Sequence, residues 1–530
     1  MKSVRVIHPF LFTLYPLLIT ISLNFWQVSS WDKLRLTFFV FLFCCLLFLL
    51  LQIIVKDWQR AGLLSSIAII LLIYIDYSKY LPEEITYSSI SFSRHWVVFL
   101  LWALVLVFLN SRLFWGRIRP NLLTRFFNIT AIILICLSII RLWPSINLIV
   151  SDPLRGWPPS ENSNIDEIVF KPGIRPDIYY IIVDGYARND VLQEIYNFDN
   201  SDFINYLVDQ GFYVAEESQS NYIITAFSLP SSLNLDYMNN LGISAANNKN
   251  MEPLRKLIQH SKVRVVLEKN GYEMITLPSG YYLTEIEDSD LYLSLGGFYF
   301  SALEIQFFET TGIHIILDSV NKYSSISGEK THRRRILHEF EQLENIPTLS
   351  TDRPKFVFAH IVMPHPPLIF DQNGDPVSED LPFSFEWRSF YRENEDEVIS
   401  GYTNQVIFTN KMLKLVIESI FLNSKSPPII IIQADHGPGF FHSWETEQDS
   451  CLKERFSIFN AYYFPQDTNE NLYPSITPVN TFRVIFDTFF GTDFGRLPDI
   501  NYFLKSGYLY DFVDVTSKSQ LPCEIGSIPH

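Results

Sequence analysis

The chain is poor in cysteine, with five in 530 residues, and these follow no metal-binding spacing. There is no Cys-x-x-Cys motif and no Cys/His pair at zinc-finger spacing, which excludes a cysteine-based zinc site. Cys44, Cys45 and Cys136 lie inside long apolar runs. Cys451 and Cys523 lie outside them, and a disulfide between these two requires an oxidising compartment, so the sequence leaves their pairing open.

Basic residues are also scarce: 41 Lys and Arg stand against 57 Asp and Glu, for a net charge of −16. The first 150 residues carry +8 and the remainder carries −24. An acidic domain of this size excludes nucleic acid as a partner, because nucleic-acid binding needs a basic surface. The chain is too long for one ordinary hydrophobic core. A basic, apolar N-terminal part followed by an acidic C-terminal part indicates a membrane anchor joined to a soluble domain.

Five long apolar runs occupy the front of the chain: Pro9–Val28, Leu36–Val55, Ala61–Ile75, Trp96–Trp115 and Phe126–Trp143. The second contains 20 residues without a charge, enough to cross about 30 Å of hydrocarbon. A cleaved signal peptide is not followed by four more such runs, so the first run is also interpreted as a span. The sequence therefore predicts a five-helix transmembrane anchor over residues 1–145.

The basic residues of this anchor are distributed unevenly between its connections. Eight of them fall on one side of the predicted membrane: Lys2, Arg5, Lys56, Arg60, Arg112, Arg117, Arg119 and Arg125. The opposite connections hold four basic residues together with Glu83 and Glu84. Because cytoplasmic loops are enriched in Lys and Arg, we predict a multi-pass cell-membrane protein with a cytoplasmic N-terminus and an extracytoplasmic second domain.

The second part of the chain divides into a linker over 146–176, rich in Pro, Ser, Asn and Asp, a domain over 177–500, and a tail over 501–530. Ile178–Val183, Phe356–Val362 and Pro428–Gln433 are short, branched or aromatic, and free of charge. Helical patterns such as Thr331–Leu343 and Asn404–Phe421 lie between them. This alternation predicts an α/β domain with a mostly parallel sheet buried on both faces.

Polar residues follow each of these three predicted strands. They are Asp184-Gly185, then His365 within Met363–Pro367, then Asp435-His436-Gly437. Ligands bind beyond the carboxyl ends of parallel strands. Carboxylate oxygens and imidazole nitrogens in this arrangement predict a site for a divalent metal ion such as Zn, Mn or Mg.

A second motif, Thr225-Ala-Phe-Ser-Leu-Pro230, places a threonine just before a predicted helix. Phosphate binds at helix N-termini, and a metal can lower the pKa of a hydroxyl until it becomes a nucleophile. The alternative is that Thr225 only caps the helix.

Together these residues resemble the alkaline-phosphatase/sulfatase superfamily, in the order Asp184, Thr225, His360 and His365, Asp435-His436. Lipid A phosphoethanolamine transferases carry a Thr-Ala-x-Ser-Val-Pro nucleophile segment that is similar to Thr225–Pro230. They also have a histidine pair spaced like His360 and His365. With lipoteichoic-acid synthases, they share five membrane spans before an outward-facing catalytic domain.

The resemblance implies Asp184, Thr225, Asp435 and His436 as metal ligands, and Thr225 as the nucleophile. His365 and His360 would bind the phosphoryl group or a second ion, as residues of the catalytic machinery. The implied reaction moves a phosphoethanolamine or phosphoglycerol headgroup from a membrane phospholipid to an extracytoplasmic glycan or lipid, through a phospho-threonine intermediate.

The sequence departs from the transferases at two positions. They have Glu where Asp184 stands, and Asp-Gly there is more similar to the phosphodiesterase and phosphatase branches. They have a His about a dozen residues beyond Asp-His-Gly, whereas here the nearest candidate is His442, six residues beyond His436. A hydrolase of the same fold and a catalytically silent sulfatase-like module therefore stay open. The Thr225 segment also lacks the Cys/Ser-x-Pro-x-Arg pattern of formylglycine sulfatases.

Overall fold

The computed structural model describes residues 4–23, 30–74, 84–87, 90–111, 119–150, 168, 175–241, 251–296, 301–309, 311, 328–377, 384–387, 395–504 and 510–523. The chain divides into two compact units. The first comprises Met1–Pro153 and Phe298–Gly328, and the second comprises Leu154–Gly297 and Glu329–His530. Most of the predicted linker, at 151–167 and 169–174, lies outside the described residues.

Within its described residues, the first unit has a helix at each predicted apolar run. These are α1 (His8–Leu23), α2 (Ser30–Val55), α3 (Trp58–Tyr74), α4 (Arg94–Asn110) and α5 (Pro120–Val150), with a hairpin of β1 (Glu84–Tyr87) and β2 (Ile90–Ser93) before α4. Among the described residues, two regions are long and apolar enough to cross a membrane: Trp31–Val55 and Pro120–Pro144. The helices at His8–Leu23 and Trp58–Ile73 are apolar but shorter. Five membrane crossings thus remain a prediction.

The two longest helices of the first unit, α2 and α5, carry large apolar side chains on their surface. In α2, Ile53 is 72% exposed and Phe38 is 63% exposed, and in α5, Ile140 is 67% exposed. Contiguous exposed apolar surface of this kind is unfavourable in water and marks a membrane or protein interface. α1 packs against α2, α3 and α5 and buries Leu17 and Ile21 among them.

A segment from the second half of the sequence belongs to the first unit. Its helix, Ala302–Glu309, packs against α1 and α2 and buries Leu303 and Phe307. The Arg35 guanidinium donates two hydrogen bonds to the Glu304 carboxylate, at 2.8 and 2.6 Å. The domain predicted over 177–500 included this segment, because a contact between residues 269 positions apart leaves no local pattern.

Seven strands form one sheet among the described residues of the second unit. They are β3 (Ile178–Val183), β4 (Tyr213–Val214), β5 (Glu273–Thr276), β6 (Leu291–Tyr292), β7 (Lys355–Ile361), β8 (Ile429–Gln433) and β9 (Asn460–Tyr463). Their order is β4-β9-β8-β3-β7-β5-β6, in which the β4–β9 and β9–β8 pairs are antiparallel and the others are parallel. The predicted α/β domain with a mostly parallel sheet is confirmed.

Helices cover both faces of this sheet. Those described are α6 (Asn189–Glu194), α7 (Ser201–Asp209), α8 (Thr225–Leu233), α9 (Glu252–Gln259), α10 (Lys262–Lys269), α11 (Gly328–Asn345), α12 (Glu395–Asn423), α13 (Leu452–Phe456) and α14 (Pro478–Ile485). In β3, Tyr179, Ile181 and Val183 pack in the core on one face, and the alternate residues pack in the core on the other. A strand buried on both faces needs an uninterrupted apolar run, as β3 has.

The described part of the predicted C-terminal tail is folded. β10 (Tyr502–Leu504) pairs antiparallel with β11 (Phe512–Asp514). The Phe512 ring lies 5.2 Å from Tyr222 and 5.1 Å from Phe227, measured between centroids. This hairpin therefore packs against the segment that enters α8 and against α8 itself.

A disulfide joins Cys451, directly before α13, to Cys523, with 5.1 Å between their Cα atoms. It settles the pairing that the sequence left open. Among the described residues, Cys44, Cys45 and Cys136 are free. Disulfides of this kind persist in oxidising compartments, which agrees with an extracytoplasmic second unit.

We expect Cys523→Ser to lower the unfolding temperature of the second unit. The disulfide closes a loop of 72 residues, which in the chain-entropy account contributes about 4 kcal/mol. Thermal unfolding of the purified, oxidised full chain in detergent measures the effect, with Cys136→Ser as the matched control. Equal unfolding temperatures for Cys523→Ser and the wild type would contradict a stabilising disulfide.

Candidate functional site

Three neighbouring parallel strands bring the candidate residues to one edge of the sheet. β3 lies between β7 and β8. Asp184 directly follows β3, and Asp435 and His436 follow β8 after one further residue. His360 is the penultimate residue of β7, and His365 lies four residues beyond its end. The carboxyl ends of parallel strands meet at one edge, which explains why residues far apart in sequence converge here.

α8 brings Thr225 to the same edge. The helix begins at Thr225, whose buried Oγ1 lies 3.3 Å from His436 Nε2. The Thr225 hydroxyl lowers the pKa of the Asp435 carboxyl, against the larger effect of burial, so the two side chains are neighbours. One turn later, the Ser228 hydroxyl donates to the Asp435 carbonyl oxygen at 2.6 Å, which fixes the helix start against the loop after β8. The hydroxyl therefore lies at a helix N-terminus, where backbone N–H groups attract anions.

Two groups of three side chains have ligand atoms within 4.8 Å of one another: Asp184 with His365 and His436, and Asp184 with His360 and Asp435. Asp184 belongs to both groups. Its Oδ2 lies 3.3 Å from His360 Nε2 and its Oδ1 lies 3.5 Å from His436 Nε2. Asp435 Oδ2 is 3.4 Å from His436 Nε2. The structure thus brings together all of the predicted ligands and both histidines of the predicted pair.

Each of the three histidines is oriented by a hydrogen bond at Nδ1. His436 Nδ1 lies 2.9 Å from the carbonyl oxygen of the next residue, and His365 Nδ1 lies 2.7 Å from that of its own successor. His360 Nδ1 lies 2.8 Å from Thr284 Oγ1. An acceptor at Nδ1 holds the proton there and leaves the Nε2 lone pair for a cation, the usual arrangement of metal-binding histidines.

A divalent metal ion fits the chemistry of these residues. Asp184 Oδ1, Asp435 Oδ2 and His360 Nε2 are buried and have no hydrogen-bond partner. Buried polar atoms without a partner are costly, so a set of three facing one another indicates a site for a cation. Oxygen and nitrogen donors together suit Zn or Mn, and the carboxylates also suit Mg.

The charges of the site act on one another. Burial disfavours the charged form of Asp184, but the attraction of the histidines, His365 first, outweighs burial and holds the pKa of its carboxyl below its usual range. Burial, reinforced by the charge of Asp184, raises the pKa of Asp435 to about 7. Burial also lowers the pKa of His436, and the Arg455 guanidinium adds to this effect. Two close carboxylates beside a neutral imidazole favour a bound cation.

Two glycines at the site are required by close approaches. Gly185 has a φ of +70°, and a Cβ there would lie 3.0 Å from the Trp387 ring. That ring packs against His365 with 4.7 Å between centroids. At Gly437, a Cβ would overlap the carbonyl oxygen of Glu454. The glycines of Asp-Gly and Asp-His-Gly therefore allow neighbouring segments to pack directly against the ligands.

Sequence reasoning missed Arg455, which is 1% exposed and lies beside the ligand loop. Its Nε donates to the Ile223 carbonyl oxygen at 2.7 Å, and one terminal nitrogen donates to the Gly437 carbonyl oxygen at 2.8 Å. These bonds connect the segment before Thr225 to the loop after β8. The sequence carries no signal for this role, because Arg455 is joined to the site only through backbone carbonyls of distant residues.

His442 lies outside both ligand groups. It is 1% exposed, and its ring packs between Trp444 and Phe503, at centroid distances of 4.8 and 5.5 Å. A role for His442 in the site stays a prediction. Its place among aromatic rings agrees with a packing role.

Comparison with known proteins places this site in a family. The sequence model of the Sulfatase family matches residues 176–483. Comparison with curated proteins gives no significant match. Similar solved structures include the C-terminal periplasmic domain of EcEptC from Escherichia coli, which is 12% identical and aligns over 66% of this chain and 95% of that chain with a TM-score of 0.42.

Two further solved structures have a similar sequence identity and TM-score to this chain. The soluble domain of lipooligosaccharide phosphoethanolamine transferase A from Neisseria meningitidis is 11% identical, over 61% of this chain and 90% of that chain, with a TM-score of 0.38. The periplasmic domain of phosphoethanolamine transferase EptC from Campylobacter jejuni is 13% identical, over 59% and 89%, with a TM-score of 0.37. Because the family match spans more than half of the chain and contains every residue of the two ligand groups, this chain belongs to the Sulfatase family.

Proposed function

We propose that this protein is a membrane-bound, metal-dependent transferase that uses Thr225 as its nucleophile. It takes a phosphoethanolamine or phosphoglycerol headgroup from a phospholipid and passes it to an extracytoplasmic glycan or lipid. The observation that carries the proposal is the contact of the Thr225 hydroxyl with His436 Nε2, at 3.3 Å, at the start of α8. A threonine that only capped the helix would precede its first residue, whereas here Ile224 takes the capping position.

The chemistry proceeds in two balanced steps. Thr225 Oγ1 attacks the phosphorus of the donor, the bond from phosphorus to the lipid oxygen breaks, and the hydroxyl proton leaves with diacylglycerol. The acceptor hydroxyl then attacks the phosphorus of the phospho-threonine, the bond from phosphorus to Thr225 Oγ1 breaks, and the acceptor proton returns to Thr225 Oγ1. His365 would contact the phosphoryl oxygens in its protonated form, with Nδ1–H on the Pro366 carbonyl oxygen and Nε2–H as the donor. Asp184, Asp435 and His436 would hold a divalent cation, which would supply the positive charge that lowers the pKa of the hydroxyl and offsets the phosphoryl charge. A double displacement of this kind gives ping-pong kinetics.

The first unit supports a lipid donor. Its long helices expose apolar side chains such as Ile53 and Ile140. Tethering to a bilayer gives an enzyme a high effective concentration of any headgroup in that bilayer. A phosphatase of water-soluble substrates gains nothing from such an anchor.

A phosphoesterase of the same fold is the second candidate, favoured by Asp184-Gly185 at the end of β3.

The two candidates are separated by incubating the purified enzyme in detergent with headgroup-labelled phosphatidylethanolamine or phosphatidylglycerol, with and without cell-envelope glycans. Transfer predicts diacylglycerol release that rises with the acceptor, and label on that acceptor. Release of free headgroup phosphate at a rate indifferent to every acceptor would establish the hydrolase. Cleavage of a water-soluble diester without turnover of either lipid would reject lipid donors.

We also propose a cytoplasmic N-terminus and an extracytoplasmic second unit, supported by the distribution of basic residues and by the Cys451–Cys523 disulfide. Protease added to intact cells or spheroplasts is expected to release a fragment that begins near residues 150–175, because this Pro- and Ser-rich stretch lies in the predicted linker over 146–176. N-terminal sequencing of the fragment provides the measurement. Cleavage of this stretch only after lysis would contradict the orientation.

A further inference from the structure

The loop after β5 reaches the same edge of the sheet as the ligand groups. β5 is the parallel neighbour of β7, the strand that carries His360. Residues 279–285, here called the 279–285 loop, follow β5 at its carboxyl end. Within this loop, Tyr281 packs the edge of its ring against the His360 imidazole, with 6.1 Å between centroids and 63° between planes.

Hydrogen bonds hold the 279–285 loop in place. The Glu285 carboxylate accepts from the Gly280 N–H at 2.7 Å and from the Ser279 hydroxyl at 3.2 Å. Thr284 Oγ1 lies 2.8 Å from His360 Nδ1 and so orients this candidate ligand. The Arg335 guanidinium of α11 lies directly against Gly280, in the space that a Cβ would occupy. The loop is therefore fixed relative to the ligand groups.

No hydrogen bond joins the Tyr281 hydroxyl to another residue in the described parts of the chain, while the Tyr281 ring packs on His360. The unperturbed pKa of a tyrosine phenol is about 10, so this side chain is an O–H donor at neutral pH. Its contact with His360 places it at the ligand groups, because His360 belongs to one of them. A phosphoryl oxygen held at the ligand groups would be an acceptor for this hydroxyl.

We infer that Tyr281 is a substrate-positioning residue whose hydroxyl donates a hydrogen bond to a non-bridging phosphoryl oxygen of the phosphodiester. The inference rests on the proposed function, since it assigns a contact to the substrate of that site. The ligand class is a phosphate ester or inorganic phosphate, and not the alcohol part of the headgroup. The phenol adds a hydrogen-bond donor on the side of His360.

Tyr281→Phe tests this contact, because it removes the hydroxyl and keeps the ring that packs on His360. A hydrogen bond to a charged oxygen is worth roughly 10- to 100-fold in affinity. We therefore expect inorganic phosphate to bind the metal-loaded full chain in detergent at least about 10-fold more weakly by calorimetry. KM for a chromogenic phosphodiester should rise to match, with the metal content unchanged. Tyr282→Phe is the matched control, since that hydroxyl donates to Glu252 Oε2 at 2.5 Å, and it should leave both values as in the wild type.

Each other outcome decides against the inference. Phosphate binding and KM equal to wild type in Tyr281→Phe would show that the hydroxyl touches no substrate. Loss of the metal in the same variant would show that Tyr281 only supports His360. If the wild type cleaves the diester, and Tyr281→Phe and Tyr282→Phe have the same phosphate affinity and KM, then the inference is wrong and the proposed function still stands. A wild type that neither binds phosphate nor cleaves the diester rejects both.

Discussion

Replacing Thr225 with alanine is expected to lower phosphodiester turnover by about 10³-fold or more, as when other covalent nucleophiles are deleted. The change removes a hydroxyl and a methyl group at the first position of α8, where alanine is a good helix former. The cap lies at Ile224, so the helix start does not depend on the Thr225 hydroxyl. Steady-state turnover of the metal-loaded, purified chain measures the loss, and circular dichroism and the unfolding temperature report on the fold.

Two variants control for other effects of this change. Ser231→Ala removes a hydroxyl from the same helix that donates to the Asp236 carbonyl oxygen at 2.8 Å, and it should keep most of the activity. Thr225→Ser keeps a hydroxyl at the reacting position and should retain more turnover than Thr225→Ala. If Thr225→Ala and Ser231→Ala both had near wild-type turnover, Thr225 would not be the nucleophile and would have only a structural role.

Asp435→Asn and His436→Ala are expected to lose the metal and the activity together. Mutating a residue that hydrogen-bonds a metal ligand typically lowers metal affinity by about 10- to 100-fold. Loss of a ligand itself should lower the affinity further. Metal content after gel filtration and metal titration of the chelated protein measure the effect. His260→Ala is the matched control, because this imidazole is 47% exposed and lies 3.9 Å from Asp288. Metal binding at wild-type affinity in both ligand variants would contradict the assigned site.

The stability of the metal-free Asp435→Asn chain, compared with the metal-free wild type, shows whether the variant has lost only a ligand or has misfolded. Burial and the charge of Asp184 raise the pKa of Asp435 to about 7 in the metal-free chain. A carboxyl whose pKa is raised by folding makes the native state less stable as the pH rises from the unfolded pKa towards the folded one. A neutral asparagine removes this penalty. The metal-free Asp435→Asn chain should therefore be at least as stable as the metal-free wild type at pH 8, and a large loss of stability would instead point to misfolding.

Much of the second unit follows from local sequence pattern. The continuous apolar run Ile178–Val183 predicts β3 to the residue, because a strand buried on both faces tolerates no charge. The helix predicted at Asn404–Phe421 extends in the structure over Glu395–Asn423. Its acidic first turn carries no apolar periodicity, so the pattern marked only the part that packs in the core.

Other features had no local signal. The two-residue strand β4 exists only through its antiparallel pairing with β9, which lies far away in sequence. Tyr281 and Arg455 carry no motif, and their proximity to the ligands arises from contacts across the sheet edge. His442, the candidate six residues beyond His436, packs against aromatic rings, a surrounding that spacing along the chain does not predict. The roles of the candidate ligands and of His442 stay predictions.

The central claim is that Thr225 carries the transferred group, and trapping this intermediate tests it most directly. The metal-loaded enzyme is mixed with phosphatidylethanolamine or phosphatidylglycerol without acceptor, quenched in acid, digested and analysed by mass spectrometry. We predict that the peptide containing Thr225 gains the mass of phosphoethanolamine or phosphoglycerol, that fragmentation places this mass on Thr225, and that adding acceptor removes it. Turnover of the donor with every Thr225-containing peptide unmodified, at all quench times and with or without acceptor, would contradict the account.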